Sequence, residues 1–183
     1  MYFLSNVIRT SLLAACLTVS LTTDSFGQDQ DEQKAFEAAH SRLVAVLDKT
    51  DDMFYKTVKN DEGSTSYTLV WEQDGEITKI ILVLQKLGTY KSEPVFGLLA
   101  FSIVAETDKS FPPAVIKLVT VKTDSCGLGA YTMPASFDTV YVTATMPSDT
   151  LTPSQLWMTC AYIHSNRLEL KEEMEKILAA SAK

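Results

Sequence analysis

Apolar and polar positions follow two different rhythms along this chain, and the changes of rhythm mark its elements. Between Asp31 and Lys59, Phe36, Leu43, Leu47 and Phe54 recur near helical spacing, with Ala39 and Val46 beside them. Ala, Glu, Lys and Leu are strong helix formers. The pattern predicts a helix over 31–59 with a break and restart at Thr50-Asp51-Asp52, which suits an N-cap followed by acidic first-turn residues. The turn-rich run 60–66 ends it.

A period of two then takes over. Tyr67, Leu69 and Trp71 alternate on one face, Asp74-Gly75 is a two-residue turn signal, and Ile77–Leu84 is the return strand. Residues 87–94 read as a loop. A third strand follows at 95–106, apolar on both faces: Phe96, Leu98 and Ala100 on one, Val95, Leu99, Phe101 and Ile103 on the other. Such a strand is expected at the centre of a sheet, under two covering layers.

The run from Phe111 to Gly127 fits either rhythm. Val and Thr favour a strand. The flanks favour a short helix, because Pro112 and Pro113 suit a first turn and Val115, Leu118, Val119 and Lys122 fall at i, i+3, i+4 and i+7, with Gly127 as a left-handed stop. Tyr131 and Met133 lead through Pro134-Ala135-Ser136 into Val140, Val142 and Ala144, a second hairpin. The last helix is the clearest. Thr152, Pro153 and Gln155 form a capping box, and Leu156, Cys160, Ile163, Leu170, Met174 and Ile177 share one stripe.

The sum is a single α+β domain over 28–183 in the order α-βββ-α-ββ-α, an antiparallel sheet packed with helices. Residues 1–27 are set apart as a signal peptide. Arg9 precedes an uncharged apolar run, and Ser25 and Gly27 occupy the −3 and −1 positions of a cut before Gln28. Leu13-Ala14-Ala15-Cys16 also resembles a lipobox, but the residues after Cys16 stay apolar, so the plain signal peptide is preferred. The chain is expected in the periplasm or outside the cell. With 183 residues and a net charge of −7, it is large enough for a real core and repels phosphate backbones, which disfavours nucleic acid as a partner.

In an exported chain Cys126 and Cys160 could pair as a disulfide, or remain as two buried thiols. No cofactor or metal site is expected. A Gly-x-Gly fingerprint at 127–129 would need glycine at 132, which is Thr132. His40 and His164 lack a third ligand. Cys160 and His164, at i and i+4, read as a helix face directed at the core. Trp71, Tyr67, Tyr141 and Trp157 read as packing residues before ligand contacts.

The second half of the chain carries a family resemblance. The proline-led FPPAVIKLV, the strand entry GLGAYTM and the strand, turn and capped helix of TVYVTATMPSDTLTPSQLWMTCAYI, taken with the element order, resemble the type III secretion chaperone fold and the YbjN family that is similar to it. The resemblance implies a non-enzymatic homodimer that binds protein or peptide segments through apolar surface. It places a two-fold dimer contact on the short middle helix and adjoining strands, with Val115, Leu118 and Val119 as the candidate interface, and apolar grooves for peptide segments on the first helix and the sheet. The other reading is a monomeric α+β domain holding a hydrophobic small molecule in a pocket.

Overall fold

The computed structural model describes residues 28–50, 53–59 and 65–181. The expected signal peptide over 1–27, with the lipobox-like Cys16, and Asp51-Asp52 lie outside the described residues. Three helices, α1 (Gln28–Leu47), α2 (Pro113–Asp124) and α3 (Pro153–Ser181), accompany six strands, β1 (Phe54–Lys59), β2 (Thr65–Gln73), β3 (Glu76–Tyr90), β4 (Glu93–Glu106), β5 (Ala130–Thr132) and β6 (Thr139–Pro147). The strands form one antiparallel sheet in the order β1-β2-β3-β4-β6-β5. The α+β class expected from the sequence is what forms.

Two expectations are corrected. The first helix stops at Leu47, and 54–59 is a strand, so the order is α-ββββ-α-ββ-α. Phe54 stands seven residues after Leu47, a helical interval by coincidence, and it is 81% exposed. In FYKTVK aromatic and β-branched residues outvote that spacing. Thr50 helps to close the helix, its hydroxyl donating to the Val46 carbonyl at 2.7 Å. Second, 87–94 is no loop. β3 and β4 run on to a two-residue turn at Lys91-Ser92, both with positive φ (49° and 68°). Neither residue is a usual left-handed turn former, so no glycine or asparagine announced the turn. Asp74-Gly75 forms its turn as expected, with φ of 55° and 80°.

The helix caps show the same mixture. In α3 the Gln155 amide donates to the Thr152 hydroxyl at 3.3 Å and the Thr152 amide to the Gln155 side chain at 2.9 Å, the reciprocal box. α2 begins at Pro113, but Gly127 does not stop it. Ser125 and Cys126 amides donate to the Lys122 and Thr123 carbonyls at 3.1 Å, a tightened last turn.

One set of alternate strand residues faces all three helices. Tyr67, Leu69, Ile80, Leu82, Leu98, Ala100, Val140 and Val142 pack with Leu43 and Leu47 of α1, Val115 and Val119 of α2, and Leu156, Ile163, Leu170 and Met174 of α3 in one core. Each fully buried leucine or isoleucine contributes about 1.5–3 kcal/mol by leaving water. Polar contacts fix the layers. Lys122 bridges α2 to Glu169 and Glu173 of α3 at 2.6 and 2.7 Å. Lys86, on the helix side of β3, pairs with Glu32 of α1. The Arg167 Nε donates to the Ile103 carbonyl at 2.9 Å, where a bulge between Ile103 and Ala105 leaves the ladder irregular.

Candidate functional site

Among the described residues, no helix lies on the opposite face of the sheet. Ladder pairs share a face, so the register defines this side without ambiguity: Phe54 with Val70, Ile81 with Phe101, Val83 with Leu99, and Ile103 with Tyr141. None of these eight residues belongs to the buried core. Phe54, Ile77, Leu87, Val70 and Ile103 are 81, 56, 48, 45 and 39% exposed. Ile81, Val83, Leu99, Phe101 and Tyr141 are half-buried. Phe101 and Tyr141 meet edge to face, with ring centroids 5.9 Å apart. Leu87, extruded at the bulge between Lys86 and Gly88, lies over Gly97.

Charge is scarce on this side. Among the described ladder positions it carries Lys56, Glu72 and Lys79, with Glu93 at one end of β4 and Glu106 at the other, beyond the bulge. Six strands at about 4.8 Å spacing, over the length of the seven consecutive residues Gly97–Ile103 of β4 at about 3.4 Å per residue, give a face on the order of 500–600 Å², in which Thr68, Thr143 and Thr145 sit among the apolar side chains. β4 is central and apolar on both sides, as its sequence indicates, but the described residues supply only one of the two expected layers.

The candidate dimer residues are elsewhere. Val115 and Val119 are buried in the chain's own core, and Leu118 packs against it half-buried. The apolar stripe of α2 therefore points inward, and the side chains it leaves exposed include Ala114, Lys117, Thr120 and Val121. Val115 and Val119 are therefore not surface positions in the single chain. Periodicity identified the stripe correctly but could not say which surface it faces.

The cysteines do not form a disulfide. Both are free, Cys160 buried and Cys126 partly exposed. Cys126 neighbours Tyr162, two residues along α3 from Cys160 and about 200° around the helix. Burial pushes the Cys160 thiol up to about 12, which makes it inert. His164 is buried and shares a hydrogen bond between Nδ1 and the Thr78 hydroxyl at 2.8 Å. Burial, helped by the Arg167 charge, lowers its pKa and keeps it neutral. His40 bonds instead to the Tyr67 hydroxyl, four ladder positions away along β2. Among the described residues no group of three or more His, Cys, Asp or Glu could hold a metal ion.

Two open clefts complete the surface. One, about 400 Å³, lies at the β2–β3 turn between Phe54, Val70, Glu72 and Asp74. The other, about 300 Å³, is bounded by Lys122, Cys126, Tyr131, Tyr162, Asn166 and Glu169. In it the Tyr162 hydroxyl is buried without a hydrogen-bond partner, beside the Cys126 thiol and the Leu128 and Gly129 amides. Burial first, then the neighbouring thiol, pushes that phenol up to about 12. Lys122 is engaged by Glu169 and Glu173, which raise its pKa, so its charge is already matched by carboxylates. Trp71 packs edge to face on the half-exposed Trp157, 5.4 Å between centroids, as a packing pair. Among the described residues no helix is long and apolar enough to cross a membrane.

No family model matches the chain, and no curated protein matches it.

Proposed function

We propose that this protein is an exported, non-enzymatic binding module that works by burying the open face of its sheet against another protein. The observation that carries the reading is the one-sided placement of the helices. A sheet with Ile81, Val83, Leu99, Phe101 and Ile103 on its free side holds an apolar surface in water, and covering it is favourable by about 25 cal/mol per Å² before the cost of association. Export rests on residues 1–27, as read from the sequence. The non-enzymatic part is supported by the inert Cys160, the neutral buried His164 and the neutralised Lys122.

The reading keeps the character of the family that the second half of the chain resembles, which is protein binding through apolar surface. It places the contact on the sheet and not on α2. The pocket alternative gains no support from the two clefts, which are open and carry Glu72, Asp74, Lys122 and Glu169 in their walls.

Chemical labelling tests the reading. In a Cys126→Ser background, a cysteine is placed either at Ile103 on the open face or at Glu172 on the outer side of α3. Cys160 stays buried and silent. Both sites react at similar rates in dilute purified protein. In the cells that export the protein, Ile103→Cys is expected to react at least about tenfold more slowly than Glu172→Cys, because a partner covers it. Equal rates in the cell would mean that the face is left bare, and the reading would fail.

A further inference from the structure

We infer that the surface covering the open face is the same face of a second copy of this chain, so that two sheets stack face to face around a two-fold axis. The inference rests on the binding reading above and names its partner.

Three observations select this occupant. The first is width. The sheet is about 25 Å across at about 4.8 Å per strand, whereas one helix with its side chains covers about 10 Å. An isolated extended peptide laid on the face would place its own amides and carbonyls over apolar side chains with no ladder to join. A second sheet has its backbone already paired and matches the width, and sheets stack well at about 10 Å separation.

The second observation is area. Two faces of 500–600 Å² bury about 1,000–1,200 Å² together, which reaches the threshold for a specific interface at its lower edge. The third is charge. A two-fold axis along the strands between β3 and β4 lays β3 over the second copy's β4. Lys79 lies beside β4 near Ile103, its carbonyl accepting from the Ser102 hydroxyl at 2.7 Å. In the stacked pair each Lys79 then approaches the second copy's Glu106, beyond Ile103 on β4. The apolar centre meets itself, and of the charges near its end Lys79 and Glu106 meet each other across the axis, while Glu72 lies over the neutral Thr139 of β6.

Light scattering coupled to size exclusion tests this on the protein expressed from its full sequence and purified as the cell leaves it. At tens of micromolar the wild-type protein is expected to be a dimer with or without reductant. Val70→Lys combined with Ile103→Lys places four lysines in the stacked interface and is expected to raise the dimer dissociation constant by about a hundredfold or more. The dilute variant should melt like the wild type, because both positions are open in the single chain. If the double variant does not fold, Ile77→Lys, at a more exposed position, takes its place.

A wild-type monomer at these concentrations overturns the second copy as partner. If Ile103 is still protected in the cell, the binding reading survives with a different partner. If Ile103 is unprotected there, both fail. A dimer that ignores the lysines overturns the face assignment.

Discussion

Gly129→Ala should lower the stability of the protein by about 2–4 kcal/mol and its melting temperature by roughly 5–15 °C. A β carbon on Gly129 would lie 2.0 Å from the Thr143 carbonyl oxygen and 3.1 Å from its carbon, with Tyr162 Cε1 at 3.2 Å on another side. The first two obstacles are backbone, in the strand that pairs with β5. Ala130 is the ladder partner of Thr143, and the Thr143 hydroxyl donates to the Ala130 carbonyl at 3.1 Å. Relief therefore requires β5 to move off β6, taking Tyr131 out of the core. Gly97→Ala is the control. Its β carbon would meet Leu87 Cδ1 at 2.5 Å, but Leu87 is 48% exposed and can swing into water, so the cost should stay under about 1 kcal/mol. Thermal unfolding of the two variants side by side checks this. Equal losses would mean that the close approach of Gly129 to β6 is wrong.

The second large effect separates two adjacent leucines. Leu98 is fully buried under the helices, paired with Leu84 and Met146 across the ladder. Leu99, one residue on, is half-buried and points to the open side, paired with Val83 and Thr145. Leu98→Ala is expected to cost about 2–5 kcal/mol, through lost burial and the cavity left behind. Leu99→Ala is expected to cost under about 1 kcal/mol in dilute protein, since water already reaches the site. If two copies stack as proposed, its effect is expected there, as a weaker dimer. Urea unfolding at low micromolar concentration reads the first difference, and similar midpoints for the two variants would contradict a one-sided helix layer.

This pair also shows how far the sequence could lead. Strand 95–106 reads as apolar on both faces, and that is correct. The pattern reports that each face is covered by something and is silent about what. The three helices have the apolar stripes expected of them, including Val115 and Val119, but a stripe carries no address, and all three point to the same side of the sheet. Local chemistry was legible wherever one residue type has one use: the positive φ at Asp74-Gly75, the box formed by Thr152 and Gln155, the prolines that open α2. It failed where spacing alone decided, as at Phe54, and where the backbone took a turn without its usual residues, as at Lys91-Ser92. The fate of Cys126 and Cys160 depended on the rotation of α3, which depends in turn on packing against the sheet.

The most direct test of the whole account is the exposure of methyl groups to a soluble paramagnetic agent, measured by NMR at low and high protein concentration. Along β3 and β4 the account expects strict alternation in dilute solution, with Ile81, Val83, Leu99 and Ile103 relaxed strongly and Ile80, Leu82 and Leu98 protected. At high concentration the first group should become protected as well, while Ile177 and Leu178 near the end of α3 stay unchanged. Protection of both groups in dilute solution would place a covering layer within the single chain, and continued exposure of the first group at high concentration would leave the open face without the second copy assigned to it.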